Sequence, residues 1–306
     1  MNAYEAPWWL PGGHLQTIFA ALAASPQVPW QRERWETPDG DFVDLDWAGR
    51  VENPGGPLLA LFHGLEGSSS SHYARSIAAR ALELGWRCVV PHFRGCSGEL
   101  NRLPRAYHSG DSEEIGWILR RLGVAHVVGV SLGGNALLKH LGETGSNSAI
   151  RKAVAISAPL DLAAAGKALD RGLSREIYTR NFLKTLKKKT FDKLRRNQIS
   201  IDRVRLARAR TFWEFDDMVT APLHGFLGAD DYWARASSGP WLDRIRVPTL
   251  VLNARNDPFL PAAVLDAIGK VPPNLVLEFP RTGGHAGFPG RERWLARRIF
   301  EFLCPP

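Results

Sequence analysis

Gly129-Val130-Ser131-Leu132-Gly133 follows the apolar pair Val127-Val128 and precedes a helical stretch. A serine hydroxyl set on a tight strand-to-helix turn can act as a nucleophile, and small residues on either side let it protrude. The pentapeptide alone is a weak signal in a Gly-rich chain, where the same serine can be an ordinary loop residue. The strand, motif, helix context favours the nucleophile. Serine needs a base to take its proton, and the base needs an acid to hold its tautomer and balance its charge. In this type of site the chain order is Ser, acid, His. Beyond the helix that carries His140, two histidines follow: His224 and His285. His285 lies in Gly283-Gly284-His285-Ala286-Gly287, after the last apolar run, where a Gly-rich loop can carry an imidazole over a sheet edge. Asp257, in Asn253-Ala254-Arg255-Asn256-Asp257-Pro258, follows the apolar run Thr249–Leu252. Asp161, in Ala158-Pro159-Leu160-Asp161, is its competitor. Either aspartate can instead cap a helix.

A tetrahedral intermediate also needs hydrogen-bond donors for its oxyanion. The backbone N–H of Leu132, next to the serine, is one candidate. Leu65 N–H, in Phe62-His63-Gly64-Leu65-Glu66-Gly67-Ser68, is the other. His63 is read as a brace for that loop.

These loops need strands and helices to aim them. Arg34–Glu36 and Phe42–Trp47 alternate around Pro38-Asp39-Gly40, which predicts a β-hairpin. Short apolar runs at 58–62, 86–90, 127–130, 153–156, 249–252 and 275–279 then alternate with helical stretches at 72–84, 111–122, 135–141 and 294–303. That rhythm predicts a mostly parallel sheet covered on both faces. Asp111 and Glu114 have the spacing of a capping box. No strand-like run occurs between Pro159 and Val247. The reading is one α/β-hydrolase domain over 1–306, with a helical cap inserted at 160–241. The expected apolar lining of the cap is Phe212, Trp213, Phe215, Phe226 and Trp233.

Several longer motifs resemble the AB hydrolase-4 family of carboxylesterases, the YheT-like group. They are His63-Gly64-Leu65-Glu66-Gly67-Ser68-Ser69-Ser70-Ser71-His72-Tyr73, Phe93-Arg94-Gly95-Cys96-Ser97-Gly98-Glu99, Gly13-His14-Leu15-Gln16-Thr17 and Ser109-Gly110-Asp111. The resemblance runs from near the N-terminus to the final helix and is weakest in the cap. It implies an esterase or lipase-like fold and a Ser-Asp-His relay, carried here by Ser131, Asp257 and His285. Where relatives often have two acids this chain has Asn256-Asp257, and where they often have Asn before Phe-Arg-Gly it has His92. The first departure leaves a single acid at that site; the second is expected to alter a local hydrogen bond. Family members include lipid esterases and medium-chain acyl-transfer enzymes, so kinship leaves the substrate open.

The 306 residues are 44% hydrophobic and carry a net charge of +8. This is a globular composition with a basic balance. Cys88, Cys96 and Cys304 form neither a zinc-type cluster nor a disulfide framework, so a cytoplasmic location is expected. The first basic residue is Arg32, and the apolar run Ile18–Ala24 is too short to span a bilayer. Lys184–Arg210 is dense in Lys and Arg with interleaved apolar residues. Its plainest reading is a solvated face. Peripheral contact with an anionic membrane is the functional alternative, and no nucleic-acid recognition motif accompanies it. No metal or cofactor is expected. The reaction read from these features is hydrolysis of short- to medium-chain or lipid esters through an acyl-enzyme. Two alternatives stand: acyl transfer to an alcohol by the same relay, and a non-catalytic binding module on a hydrolase scaffold.

Overall fold

The computed structural model describes residues 4–50, 55–196, 198–290 and 293–304. Strands β1 (Gln31–Glu36) and β2 (Phe42–Ala48) pair antiparallel around the expected turn, with Gly40 at φ +82°. Six more strands follow: β3 (Leu58–Phe62), β4 (Arg87–Pro91), β5 (His126–Val130), β6 (Lys152–Ile156), β7 (Thr249–Leu252) and β8 (Leu275–Glu278). The sheet order is β1-β2-β4-β3-β5-β6-β7-β8, and all neighbours from β4 to β8 are parallel.

The two-residue period of a strand sends alternate side chains to opposite faces. Ala60, Phe62, Val127, Ala153, Ala155 and Val251 point into one core, where Ile115 and Ile118 of α3 (Ser112–Leu122) and Leu137 and Leu141 of α4 (Leu132–Thr144) cover them. Leu59, Leu61, Val128, Val130, Val154, Ile156, Leu250 and Leu252 point into the other. There α2 (His72–Glu83) and the C-terminal helix Trp294–Leu303 supply Ile77, Ala81, Ile299 and Phe300. Burial on both faces explains why these strands read as continuous apolar runs. At the sheet edge β8 is only half covered, with Val276 exposed.

Between β6 and β7 the described residues form helices joined by loops, with no strand, beginning with α5 (Leu162–Leu169) and including the long helix Arg180–Arg195. This segment has small cores of its own. One gathers Leu162, Phe212, Tyr232 and Trp233; another gathers Leu183, Leu194, Leu206, Phe215 and Val219.

The capping box expected at Asp111 and Glu114 does not form. Asp111 makes no side-chain cap bond; it accepts from Arg105 Nη2 at 2.6 Å, and Glu114 accepts from Arg94 Nε at 2.6 Å. Charge-assisted bonds to guanidinium groups outcompete a cap to a backbone N–H.

Candidate active site

Parallel strands bring their following loops to one edge of the sheet, which is where α/β proteins bind ligands. The loops after β3, β5, β7 and β8 carry Leu65, Ser131, Asp257 and His285. Ser131 sits between β5 and α4 with φ +54° and ψ −119°, a strained conformation for a residue with a side chain. Its two flanking glycines are sterically required. A Cβ at Gly129 would lie 2.5 Å from Gly133 O, and one at Gly133 would lie 2.6 Å from His63 O.

Ser131 Oγ is 2.9 Å from His285 Nε2. His285 Nδ1 is 2.9 Å from Asp257 Oδ2 and 3.1 Å from Oδ1. With the Nδ1 proton donated to the carboxylate, Nε2 is free to accept from the serine hydroxyl. The Asp257 side chain is 1% exposed, and Phe259 N–H donates to its Oδ1 at 2.8 Å. Phe259 also stacks on the imidazole, with ring centroids 3.8 Å apart and an interplanar angle of 16°.

The competing residues are engaged elsewhere. Asp161 caps α5, accepting from Ala164 N–H at 2.9 Å. His224 donates from Nδ1 to Thr220 O at 2.7 Å and lies against His108. His140 is buried on α4. His63 donates from Nδ1 to Gly64 O at 2.8 Å and accepts at Nε2 from Phe93 N–H at 3.1 Å, so it braces the loop after β3. Burial, then the neighbouring His92, pulls its pKa down to about 3, and it stays neutral.

In that loop Gly64 N–H donates to Tyr73 Oη, Glu66 N–H to Tyr107 Oη and Gly67 N–H to Gly64 O. Among the described residues no hydrogen bond occupies Leu65 N–H or Leu132 N–H. Leu132 opens α4, where the first N–H groups lack intrahelical partners and the helix dipole favours negative charge. Gly64 lies directly against the serine: a Cβ there would be 3.1 Å from Ser131 Cβ.

The sequence reading misses the device that holds the histidine loop. It is α1 (Gly13–Leu22). Thr17 Oγ1 accepts from His285 N–H at 2.8 Å, and Gln16 Oε1 accepts from Gly283 N–H at 2.8 Å. Asn256 ties the two sides together, donating to Gln16 Oε1 and accepting from Gly284 N–H, both at 3.0 Å. The available signal is a Gln-Thr pair that, with His14, interrupts a mainly apolar decapeptide.

A cavity of ≈ 150 Å³ opens onto Ser131 and His285, with Leu162, Phe182, Phe212, Phe215 and Trp233 of the cap along its walls. Two of the five aromatic residues expected there lie elsewhere. Trp213 is exposed and donates to Asp230, while Phe226 packs against His108 and Tyr232. The basic stretch is also not uniformly solvated. Lys189 reaches into the cavity wall and pairs with Glu66. Lys193 is buried, its Nζ donating to the carbonyls of Leu103, Pro104 and Arg105, and burial pulls its pKa down to about 8. Lys187 donates to Ala207 O and Ala209 O, while Lys188 is exposed and lies 3.8 Å from Asp192 Oδ2.

Sheet order, the strained serine turn and the helical segment between β6 and β7 together define an α/β-hydrolase of the esterase and lipase type. The family model described as alpha/beta hydrolase fold matches residues 57–290. YheT of Escherichia coli strain K12, which bears an esterase name, is 41% identical over 311 residues, covering 95% of this chain and 89% of that protein. Human phospholipase ABHD3 is 30% identical over 324 residues, covering 99% of this chain and 78% of that one. Among solved structures, the Pyrococcus furiosus esterase Pf2001 superposes with a TM-score of 0.56 at 18% identity, covering 90% of this chain and 92% of that one, a likeness of fold. The chain belongs to the AB hydrolase-4, or YheT-like, family of α/β-hydrolases.

Proposed function

We propose that the protein is a serine carboxylic ester hydrolase that acts through an acyl-enzyme on short- to medium-chain or lipid esters. The observation that carries this reading is the unbroken line Ser131 Oγ, His285, Asp257, at 2.9 Å per step, opening on an apolar cavity. Ser131 Oγ attacks the ester carbonyl while His285 Nε2 takes its proton. The oxyanion is held by Leu65 and Leu132 N–H. The intermediate collapses, and the leaving alkoxide departs as the alcohol with the proton from His285. Water then attacks the acyl-serine by the same route, releasing the acid and restoring Ser131. Asp257 keeps the imidazole in its tautomer and stabilises the imidazolium, and the face of Phe259 adds to that stabilisation.

Phospholipase ABHD3 and, at 29% identity over 81% of this chain, a yeast monoacylglycerol lipase support a lipid ester as the substrate. The enzyme works in the cytoplasm and meets its substrate at anionic membranes, using the outward-facing cations of Lys184–Arg210. Among the described residues no helix is long and apolar enough to cross a bilayer. A fluorophosphonate probe tests the reading: it adds its mass to the peptide holding Ser131, and the chain hydrolyses medium-chain esters to free acid. Absence of labelling would return the chain to a binding role. A new ester formed with added alcohol, in preference to free acid, would reassign it as an acyltransferase.

A further inference from the structure

Helix α1 is amphipathic the wrong way round for a helix packed on a protein. Its polar residues Gln16 and Thr17 are buried, because they hold the histidine loop. Its outer face carries Leu15, Phe19 and Leu22, at spacings of four and three that place them on one stripe. Leu22 is 81% exposed. Just before the helix stand Trp8, 91% exposed, and Trp9, whose ring packs edge-on against Phe19. The helix contains no charged residue. The stripe continues onto the cap, since His14 stacks on and hydrogen-bonds Tyr178, and the cap segment around Tyr178 exposes Leu173 and Ile177. A monomer in water rarely leaves so many large apolar side chains contiguous without a partner for them.

What flanks the stripe identifies that partner. Arg175 and Arg180, on either side of Ile177, line an open cavity of ≈ 460 Å³ together with Lys184, Lys187 and Arg210, against one acid, Glu176. Among the described residues the side chains of Arg180, Lys184 and Arg210 form no salt bridge, although Arg210 N–H donates to Glu214 at 2.6 Å. An apolar, Trp-bearing ridge beside a rim with more cations than acids matches the interfacial region of an anionic bilayer, where indole rings and leucines enter and cations meet headgroups. A second copy of this chain would bring basic rim to basic rim. We infer that Trp8, Trp9, Leu15, Phe19 and Leu22, with Leu173 and Ile177, form a docking surface that inserts into anionic lipid membranes. The surface abuts the active site: Tyr178 packs on Phe259, which stacks on His285. Docking therefore sets the site at the lipid boundary. This purpose rests on the esterase reading, but binding itself can be measured apart from catalysis.

Flotation with phosphatidylcholine vesicles, with and without phosphatidylglycerol, tests it. The full chain is expected to partition onto phosphatidylglycerol vesicles at least about tenfold more strongly than onto phosphatidylcholine alone. The double variant W8S/L22S is expected to lose at least about tenfold in partitioning, with hydrolysis of a soluble ester unchanged when no vesicles are present. R180Q/K184Q is expected to erase the phosphatidylglycerol preference. Equal partitioning of W8S/L22S and the unmodified chain would overturn the inference. So would a concentration-dependent dimer, in light scattering, that W8S/L22S abolishes. Vesicle binding as expected, in a chain that hydrolyses no ester, would support the surface and strike the esterase reading instead.

Discussion

Lys189 Nζ lies 2.7 Å from Glu66 Oε1, so the long helix of the cap is fastened to the loop that presents Leu65 N–H. Glu66 is held at the same oxygen by Tyr107 Oη at 2.8 Å, and it adopts φ +54°. The strain of that backbone is offset by fixed side-chain bonds. Lys189→Met removes the cation while keeping most of the apolar stem. A charge-assisted bond of this kind contributes about 1.5–3 kcal/mol. If it holds the loop in register, kcat is expected to fall about tenfold or more with KM nearly constant, and Lys189→Arg to recover most of it. A loss confined to KM, or none, would show that Lys189 only packs.

Ser131→Ala is expected to abolish ester hydrolysis, by at least about 10⁴-fold in kcat/KM, with the circular dichroism spectrum unchanged. The chain is already bent at this position by its flanking glycines and by the bonds Ser131 N–H to Ile156 O and Asn135 N–H to Ser131 O, none of which uses the hydroxyl. Turnover retained in a preparation free of contaminating esterase would remove Ser131 from the mechanism.

Asp257 and Asp161 separate cleanly by substitution with asparagine. At Asp257 the change leaves a group that can present an N–H to His285 Nδ1, which favours the wrong tautomer, and the expected cost is about 10⁴-fold in kcat. At Asp161 asparagine caps a helix about as well as aspartate, so activity and Tm should barely move. The reverse order of damage in steady-state kinetics would transfer the acid's role to Asp161.

Much of this arrangement is legible in the sequence because it depends on local signals. Continuous apolar runs mark strands buried on both faces, and the fold follows from their alternation with helices. The loops that follow them bring Ser131, Asp257 and His285 within hydrogen-bond reach of one another. What is not legible depends on long-range partners. The Asp111–Glu114 spacing says capping box, but Arg105 and Arg94 claim both carboxylates. Lys189 and Lys193 sit in a run that reads as solvated; their long stems reach carbonyls and a carboxylate across the cap boundary. Gln16 and Thr17 stand out as polar residues in a mainly apolar helix, but nothing local names their partner, which for Thr17 is a histidine 268 residues further along.

Asp216 is a half-buried acid of the cavity wall. It accepts from Thr220 Oγ1 at 2.6 Å and Trp233 Nε1 at 2.8 Å, yet burial pushes its carboxyl from 3.8 up to about 7. The folded chain therefore holds this proton more tightly than the unfolded chain does. Below pH 3.8 both forms are protonated and Asp216 costs nothing. As pH rises from 3.8 to 7 the unfolded state releases its proton first, so stability falls through that window and the full penalty persists above it. Asp216→Asn cannot ionise and keeps an acceptor for Trp233. Its Tm should match that of the unmodified protein at pH 4 and exceed it at pH 8. A Tm difference independent of pH would mean that Asp216 is not the group that titrates.

The cavity over Ser131 sets the last expectation. At ≈ 150 Å³ it has about the volume that accepts one benzene-sized apolar group, which suits a short to medium acyl chain rather than a palmitoyl chain in full extension. Each methylene that leaves water for this wall gains about 0.8 kcal/mol, roughly fourfold in kcat/KM when the gain is retained in the transition state. From acetyl to medium-chain esters the rate should therefore climb by one to two orders of magnitude, about three methylenes' worth, before the wall is reached. Phe212 is one of the side chains that closes the pocket, and its backbone N–H, bonded to Asp170, survives truncation. Phe212→Ala should move the optimum to longer chains and weaken discrimination among short ones. The measurement is kcat/KM across acetyl to palmitoyl esters for both proteins. A strict acetyl preference would refute an apolar acyl pocket, and an identical profile in the variant would place the acyl chain elsewhere than against the cap.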